Sequence, residues 1–173
     1  TGTITLANYI GGIKQFIEQQ YNYNSLIFIA DIHGLTTYIE PDEIRNNILD
    51  ITALYLACGI DITHTIIFQQ SEVLEHCNLG FFMSFQCGVG ELSRMTQYKS
   101  KREKLSKNEK DMGLFIYPTL MAADILLYDA SIVPVGQDQR QHIEITRNIG
   151  ERFNKIYGNI FAVPAYQIPK IGA

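Results

Sequence analysis

The segment LMAADILLYDA, Leu120 to Ala130, sets a carboxylate in the middle of an apolar run. On a helix the residues three and four positions from Asp124 are Leu120, Met121, Leu127 and Tyr128, all apolar or aromatic. Burying a carboxylate there without a partner costs several kcal/mol, so a hydrogen-bond donor must come from the protein or from a ligand. Tyr117, Met121, Asp124 and Tyr128 share one stripe at helical spacing. The acceptor therefore belongs to an aromatic and apolar surface.

Three further stretches suit phosphate and sugar chemistry. VGQDQRQHIE, Val135 to Glu144, reads as a turn from a strand into a helix. Gly136 there lets backbone approach a ligand closely, and Asp138 either accepts from hydroxyl groups or caps the helix. In TITLANYIGG, Thr5 stands at an N-cap with Leu6, Ala7 and Asn8 in the first turn. A helix N-terminus offers unpaired N–H groups to an anion, and Thr5 and Asn8, three apart, lie on one face from which both can donate to it. KSKREKLSKNEK, Lys99 to Lys110, holds six basic and two acidic residues, against a net charge of -4 for the whole chain. It is either a solvated loop or a phosphate-facing segment, and Lys99 and Lys101 are its anchored members because the helical pattern GELSRMTQYK leads into them. His64, His76 and Cys77 have no metal-ligand spacing, and no metal ligand is assigned.

These residues need a scaffold that brings loops together. NSLIFIAD, HTIIFQQ and ASIVPV are short runs rich in β-branched and aromatic residues and read as buried strands. Helical patterns cover Asn8 to Gln20, Pro41 to Cys58 and a broad region from Glu72 to Gln97, with Pro41 opening a first turn and Gly59 just past a helix end. Alternating strand and helix implies parallel strands joined by crossovers, an α/β doubly wound domain. Ligands bind such sheets outside the carboxyl ends of the strands, and ADIH, QQSE and GQDQ follow the three runs. His33 and Gln70 lie in the first two of these polar ends.

At 173 residues the chain is about one domain long. Its three cysteines, Cys58, Cys77 and Cys87, are an odd number in no CxxC pattern, which argues against disulfides and zinc and for a reducing compartment. No apolar run has the length of a membrane span and the start has no signal-like pattern, so the expected location is cytoplasmic. With no initiating Met and an end at QIPKIGA, the chain reads as a piece of something longer.

TLANYIGG, FIADIHGLT, FQQSEV, GELSRMTQYK, YPTLMAADILLYDASIVPVGQDQRQHIEITRNIGERFN and IPKIGA, in this order, resemble the catalytic domain of the tryptophanyl-tRNA synthetases, class I aminoacyl-tRNA synthetases. The resemblance covers essentially the whole chain and implies a Rossmann-like doubly wound α/β domain over residues 1–173, incomplete at both ends and without the C-terminal anticodon-recognising domain. In this family the carboxylate matching Asp124 accepts the indole N–H of tryptophan, and the neighbour matching Met121 packs on the ring. The resemblance thus favours a ligand over a protein group as the donor to Asp124. Tyr117 and Gln139 match positions that hold the amino group, and His33 and Gln70 match polar positions near that pocket. Gly136 and Asp138 match ribose contacts of ATP. Thr5, Leu6, Ala7 and Asn8 stand in the place of the His-Ile-Gly-His signature, and Lys99 and Lys101 match a basic pair near the phosphates.

The implied reaction is activation of L-tryptophan by Mg-ATP to tryptophanyl-adenylate, then transfer to tRNA(Trp), by a homodimer without membrane association or a protein-bound metal. Two alternatives are a tyrosyl-tRNA synthetase, against which LMAAD argues, and a non-catalytic nucleotide- or tRNA-binding paralogue. Ala7, where the signature has Gly, is expected to weaken ATP binding. The Lys-Met-Ser-Lys-Ser loop of the family belongs after IPKIGA and a strand belongs before TGTI, so the segment alone is expected to be a poor or inactive catalyst.

Overall fold

The computed structural model describes residues 9–103 and 111–167. They fall into two compact units, one of residues 9–73, 134–137 and 167, the other of residues 74–103, 111–133 and 138–166.

The first unit is built on a βαβ unit. After a π-helical turn, Tyr9–Ile13, comes α1, Lys14–Gln19, so the helix expected from Asn8 is interrupted early. Strand β1, Ser25–Ile29, pairs in parallel with β2, Thr65–Gln69, in a register that sets Ile27 opposite Ile67. Parallel neighbours need a crossover, and α2, Asp31–Gly34, with α3, Pro41–Ala57, supplies it. Helix α3 has the expected ends: Pro41 occupies the first turn with Asp42 and Glu43. At the other end Gly59 takes φ +106°, and the N–H groups of Gly59 and Ile60 donate to the carbonyls of Leu56 and Tyr55, closing the helix in a Schellman motif. The strands are less buried than their apolar runs predict. Ile27 and Ile29 are in the core, whereas Leu26 and Ile66 are exposed, because alternation along the strand sends successive side chains to opposite faces. The fully buried Gln20 ties α1 to the approach to β2: its Nε2 donates to the carbonyl of Gly59 at 3.1 Å and its Oε1 accepts from the Asp61 N–H at 2.7 Å.

The second unit is mostly helical. The region Glu72 to Gln97 divides into α4, Glu75–Ser84, α5, Val89–Ser93, and α6, Thr96–Arg102. Gly88 starts α5, its N–H donating to Glu91 Oε2 at 3.0 Å. The most apolar helix, α7, Met112–Leu126, lies between α4 and α8, Arg140–Tyr157. Two glycines set this packing. A Cβ on Gly80 of α4 would stand 3.2 Å from the Leu120 Cα, and one on Gly150 of α8 would stand 3.2 Å from Leu126 Cδ2. Met83, Leu92, Met95, Leu114, Leu126 and Ile149 are among the core residues that fill the space between these helices. The third apolar run forms β3, Ile132–Pro134, which pairs with β4, Ala165–Gln167, and among the described residues not with β1 or β2.

Candidate functional site

Asp124 sits near the end of α7, 4 % exposed, and the protein itself supplies a donor to it. His76, fully buried on α4, places Nδ1 2.6 Å from Asp124 Oδ1, and its Nε2 lies 2.8 Å from the Tyr128 hydroxyl. An ionised carboxylate only accepts, so Nδ1 carries the hydrogen in this pair. Burial, then the charges of Asp124 and Glu75, raises the Tyr128 pKa and keeps its hydroxyl protonated at neutral pH. Asp124 is thus the head of a chain of three polar side chains rather than an acceptor held for a ligand alone. Met121, one turn before Asp124 on α7, is half-buried.

A second network lies within the same unit. Gln97 Nε2 donates to Asp138 Oδ2 at 3.2 Å, which turns its Oε1 toward the Tyr117 hydroxyl at 3.2 Å. Tyr117 has one hydrogen to give; with Gln97 Oε1 taking it, the close contact between the Tyr117 oxygen and His142 Nε2 is completed by His142 as donor. His142 is buried on α8, so this end of the network is fixed in the core. Gln139 Nε2 also reaches Asp138 Oδ2, at 2.7 Å, and Lys101 Nζ lies 5.8 Å from the centre of the Tyr117 ring. Burial, and secondarily the charge of Asp138, pushes the Tyr117 pKa up to about 12. Asp138 does not cap α8; its residues Gln137–Gln139 form a 3-10 turn ahead of the helix, and its carboxylate is an exposed acceptor for two amides. Four expected site residues, Tyr117, Asp138, Gln139 and Lys101, therefore share one polar cluster. Lys99 is exposed on α6 one turn after Met95.

His33, Gln70 and Gly136 belong to the first unit. There the two polar strand ends ADIH and QQSE meet through Asp31. Its Oδ1 accepts from the backbone N–H of Ile32 at 3.0 Å and of Ser71 at 3.1 Å, and its Oδ2 accepts from Gln69 Nε2 at 2.7 Å. This carboxylate fastens the carboxyl end of β1 to that of β2. Gln70 is fully buried in the turn Gln70–Glu72, and His33 is half-buried on α2. Thr5, Leu6, Ala7 and Asn8 lie outside the described residues, as do Lys104 to Lys110 and IPKIGA.

Four residues that organise these sites were not singled out by the sequence: His76, Gln97, His142 and Asp31. His76 is 48 positions from Asp124 and Gln97 is 41 from Asp138, so no local spacing connects them. The one usable signal was the demand of Asp124 for a donor, which pointed to the existence of His76 but not to its position. Among the described residues no group of three His, Cys, Asp or Glu side chains is arranged to hold a metal ion, and no helix is long and apolar enough to cross a membrane. The segment Asn78 to Gly90 divides: Met83 is core, whereas Phe81, Phe82 and Phe85 are exposed.

Comparison with known proteins places this geometry. The family model of the class I tRNA synthetases (W and Y) matches residues 1–171. A tryptophan–tRNA ligase of Bacillus subtilis is 50% identical over 175 residues, and that of Bacillus anthracis is 49% identical over 173; each alignment takes in 100% of this chain and 52% of the relative. The crystal structure of tryptophanyl-tRNA synthetase from Campylobacter jejuni complexed with ADP and tryptophan superposes with a TM-score of 0.93 at 38% identity, covering 100% of this chain and 54% of that one. The chain thus spans about half the length of the curated relatives it matches.

Proposed function

Because this chain belongs to the class I tRNA synthetases of the tryptophan and tyrosine group, with their Rossmann-like α/β catalytic fold, we propose that it is the amino-acid-selecting part of a tryptophan–tRNA ligase. The full-length protein activates L-tryptophan with ATP to tryptophanyl-adenylate and transfers the tryptophanyl group to tRNA(Trp). The observation that carries this reading is Asp124, a carboxylate buried on the most apolar helix of the second unit, α7. Indole has a single N–H donor, and a buried acceptor is the group that tells it from an apolar ring. Half-buried Met121, one turn away, gives the indole an apolar face.

In this reading Tyr117 and Gln139 hold the amino group of tryptophan, and His33 and Gln70 are further tryptophan-binding residues. Gly136 and Asp138 contact the ribose of ATP, Asp138 being an exposed acceptor in support of that role. Thr5, Leu6, Ala7 and Asn8 bind the nucleotide, and Lys99 and Lys101, both exposed, offset charge at the phosphates. ATP brings magnesium as part of the substrate. Attack of the tryptophan carboxylate on the α-phosphate depends on alignment and on stabilising phosphate charge, so positioned donors and lysines matter more here than a general base. Residues 1–173 serve as catalytic-domain sequence, and anticodon recognition falls to the remainder of the full-length protein. We place the enzyme in the cytoplasm as a homodimer; the exposed Phe81, Phe82 and Phe85 on and beside α4 support a protein-covered face.

Aminoacylation by the full-length gene product tests this directly. Labelled tryptophan should be esterified to tRNA(Trp) and labelled tyrosine should not. Charging with tyrosine would favour the tyrosyl alternative, and charging with neither would favour the binding paralogue.

A further inference from the structure

We propose that Gln141 is a positioning residue that holds the lysine-bearing helix α6 in place for ATP, an inference that rests on the assignment of Lys99 and Lys101 to the phosphates and deepens it. Helix α6, Thr96–Arg102, has seven residues, too few to persist on helix propensity alone, so its direction depends on what grips it from outside. Its own start supplies no cap. Met95, in the N-cap position, is 2 % exposed and offers no side-chain acceptor to the first turn.

The acceptor comes from α8 instead. Gln141 Oε1 accepts from the backbone N–H of Thr96 at 2.9 Å and from the Thr96 hydroxyl at 3.1 Å. A backbone N–H can only donate, which fixes the amide with its oxygen on this side, and Nε2 then faces the carbonyl of Arg94 at 3.5 Å. One side-chain amide thus meets the backbone on both sides of Met95, as a peptide group would. The other grips on α6 are of a different kind. Tyr98 packs in the core and reaches Asp111 Oδ2 at 3.3 Å, and Gln97 joins Asp138 and Tyr117. Those contacts hold side chains, whereas Gln141 holds the helix backbone at its first residue.

Lys99 and Lys101 follow on the same short helix, both exposed, so a helix that pivots about its start carries their charges off line. A misplacement of about 1 Å in a group that stabilises a transition state can cost on the order of a hundredfold in rate. Gln141 also stands just after Asp138 and Gln139, the residues assigned to the ribose and the amino group. One short segment therefore carries ligand contacts and sets where the phosphate-facing charge lies. Gln141 acts through α6 and needs no contact with ATP.

The test uses the full-length gene product, tryptophan-dependent pyrophosphate exchange, and equilibrium binding of tryptophan in the absence of ATP. Gln141→Met keeps the length of the side chain and removes its acceptor; kcat/KM for ATP should fall roughly three- to thirtyfold while the tryptophan Kd stays within about twofold. Gln141→Glu, which keeps an oxygen for Thr96, should retain most of the activity, and Lys101→Met should show a loss on the ATP side as well. If Gln141→Met does not fold, Thr96→Val decides: it removes only the hydroxyl bond and should give a smaller loss, again confined to ATP. Equal losses for ATP and tryptophan, no loss in Gln141→Met, or a Gln141→Glu enzyme as impaired as Gln141→Met makes Gln141 a structural residue of α8. Each of these overturns the inference and leaves the tryptophan reading intact, as do unchanged ATP kinetics in both Lys99→Met and Lys101→Met. A wild-type protein that exchanges with no amino acid overturns the reading beneath it.

Discussion

Tyr117→Phe isolates one oxygen. The ring stays, so there is no cavity term, and the change is confined to the hydrogen bonds of the Tyr117 hydroxyl with Gln97 and His142. The two partners are not equivalent. Gln97 is half-exposed and water can replace the lost donor at its Oε1, so that end costs little. His142 is 1 % exposed, and its Nε2–H is left facing a phenyl ring, which costs about 1–3 kcal/mol of folding stability. Urea denaturation of the full-length protein, followed by a signal specific to this domain, should show a lower midpoint with an unchanged slope. In the same variant the KM for tryptophan should rise more than the KM for ATP, because Tyr117 is assigned to the amino group. The wild type should also lose stability at alkaline pH. A phenol raised from 10.0 to about 12 on folding contributes stability that is complete below 10 and fades as the pH rises through 12, and this component should vanish in Tyr117→Phe. A stability change below about 0.5 kcal/mol would mean that the His142 contact carries no net energy and would refute the assignment of His142 as a donor.

The two packing glycines should behave oppositely on substitution. Alanine gains about 0.5–1 kcal/mol over glycine in a helix. In Gly80→Ala the new methyl meets the backbone of Leu120, which cannot move without shifting α7, so the net result should be a loss of about 1–2 kcal/mol. In Gly150→Ala it meets the mobile end of Leu126, and stability should be unchanged or slightly higher by the same denaturation assay. At acid pH, Glu91 should dominate the link between α5 and α8. Its bidentate contact with Arg152, at 2.5 and 2.6 Å, holds its carboxyl down at about 2 against an ordinary 4.5. That contribution is present above 4.5 and is lost as the pH falls through 2, so Glu91→Gln should flatten the stability profile over this window.

The sequence made the chemistry of single residues more legible than their partners. Asp124 announced itself because a carboxylate at that spacing contradicts the apolar pattern of its own helix, and the ends of α3 were readable from Pro41 and Gly59 because capping is local. His76 was invisible for the opposite reason: a histidine beside Glu75 and Cys77 breaks no pattern, and its role arises only when α4 packs on α7. The same holds for Gln97, which joins Tyr117 to Asp138 across two helices and a turn. Burial of the strands was overestimated because a run such as SLIFI does not reveal which of its alternating faces is covered. ASIVPV was correctly strand, but its pairing with β4 is a property of chain path, which no short window contains.

Pyrophosphate exchange by the full-length protein, measured with tryptophan and tyrosine side by side in wild type and Asp124→Asn, tests the central claim most directly. The amide keeps the size of the side chain and weakens its acceptor, so exchange should occur with tryptophan alone and its kcat/KM should fall by roughly tenfold or more in the variant. Wild-type exchange with tyrosine, or an Asp124→Asn enzyme that handles tryptophan as well as wild type does, would show that this buried carboxylate does not read the substrate.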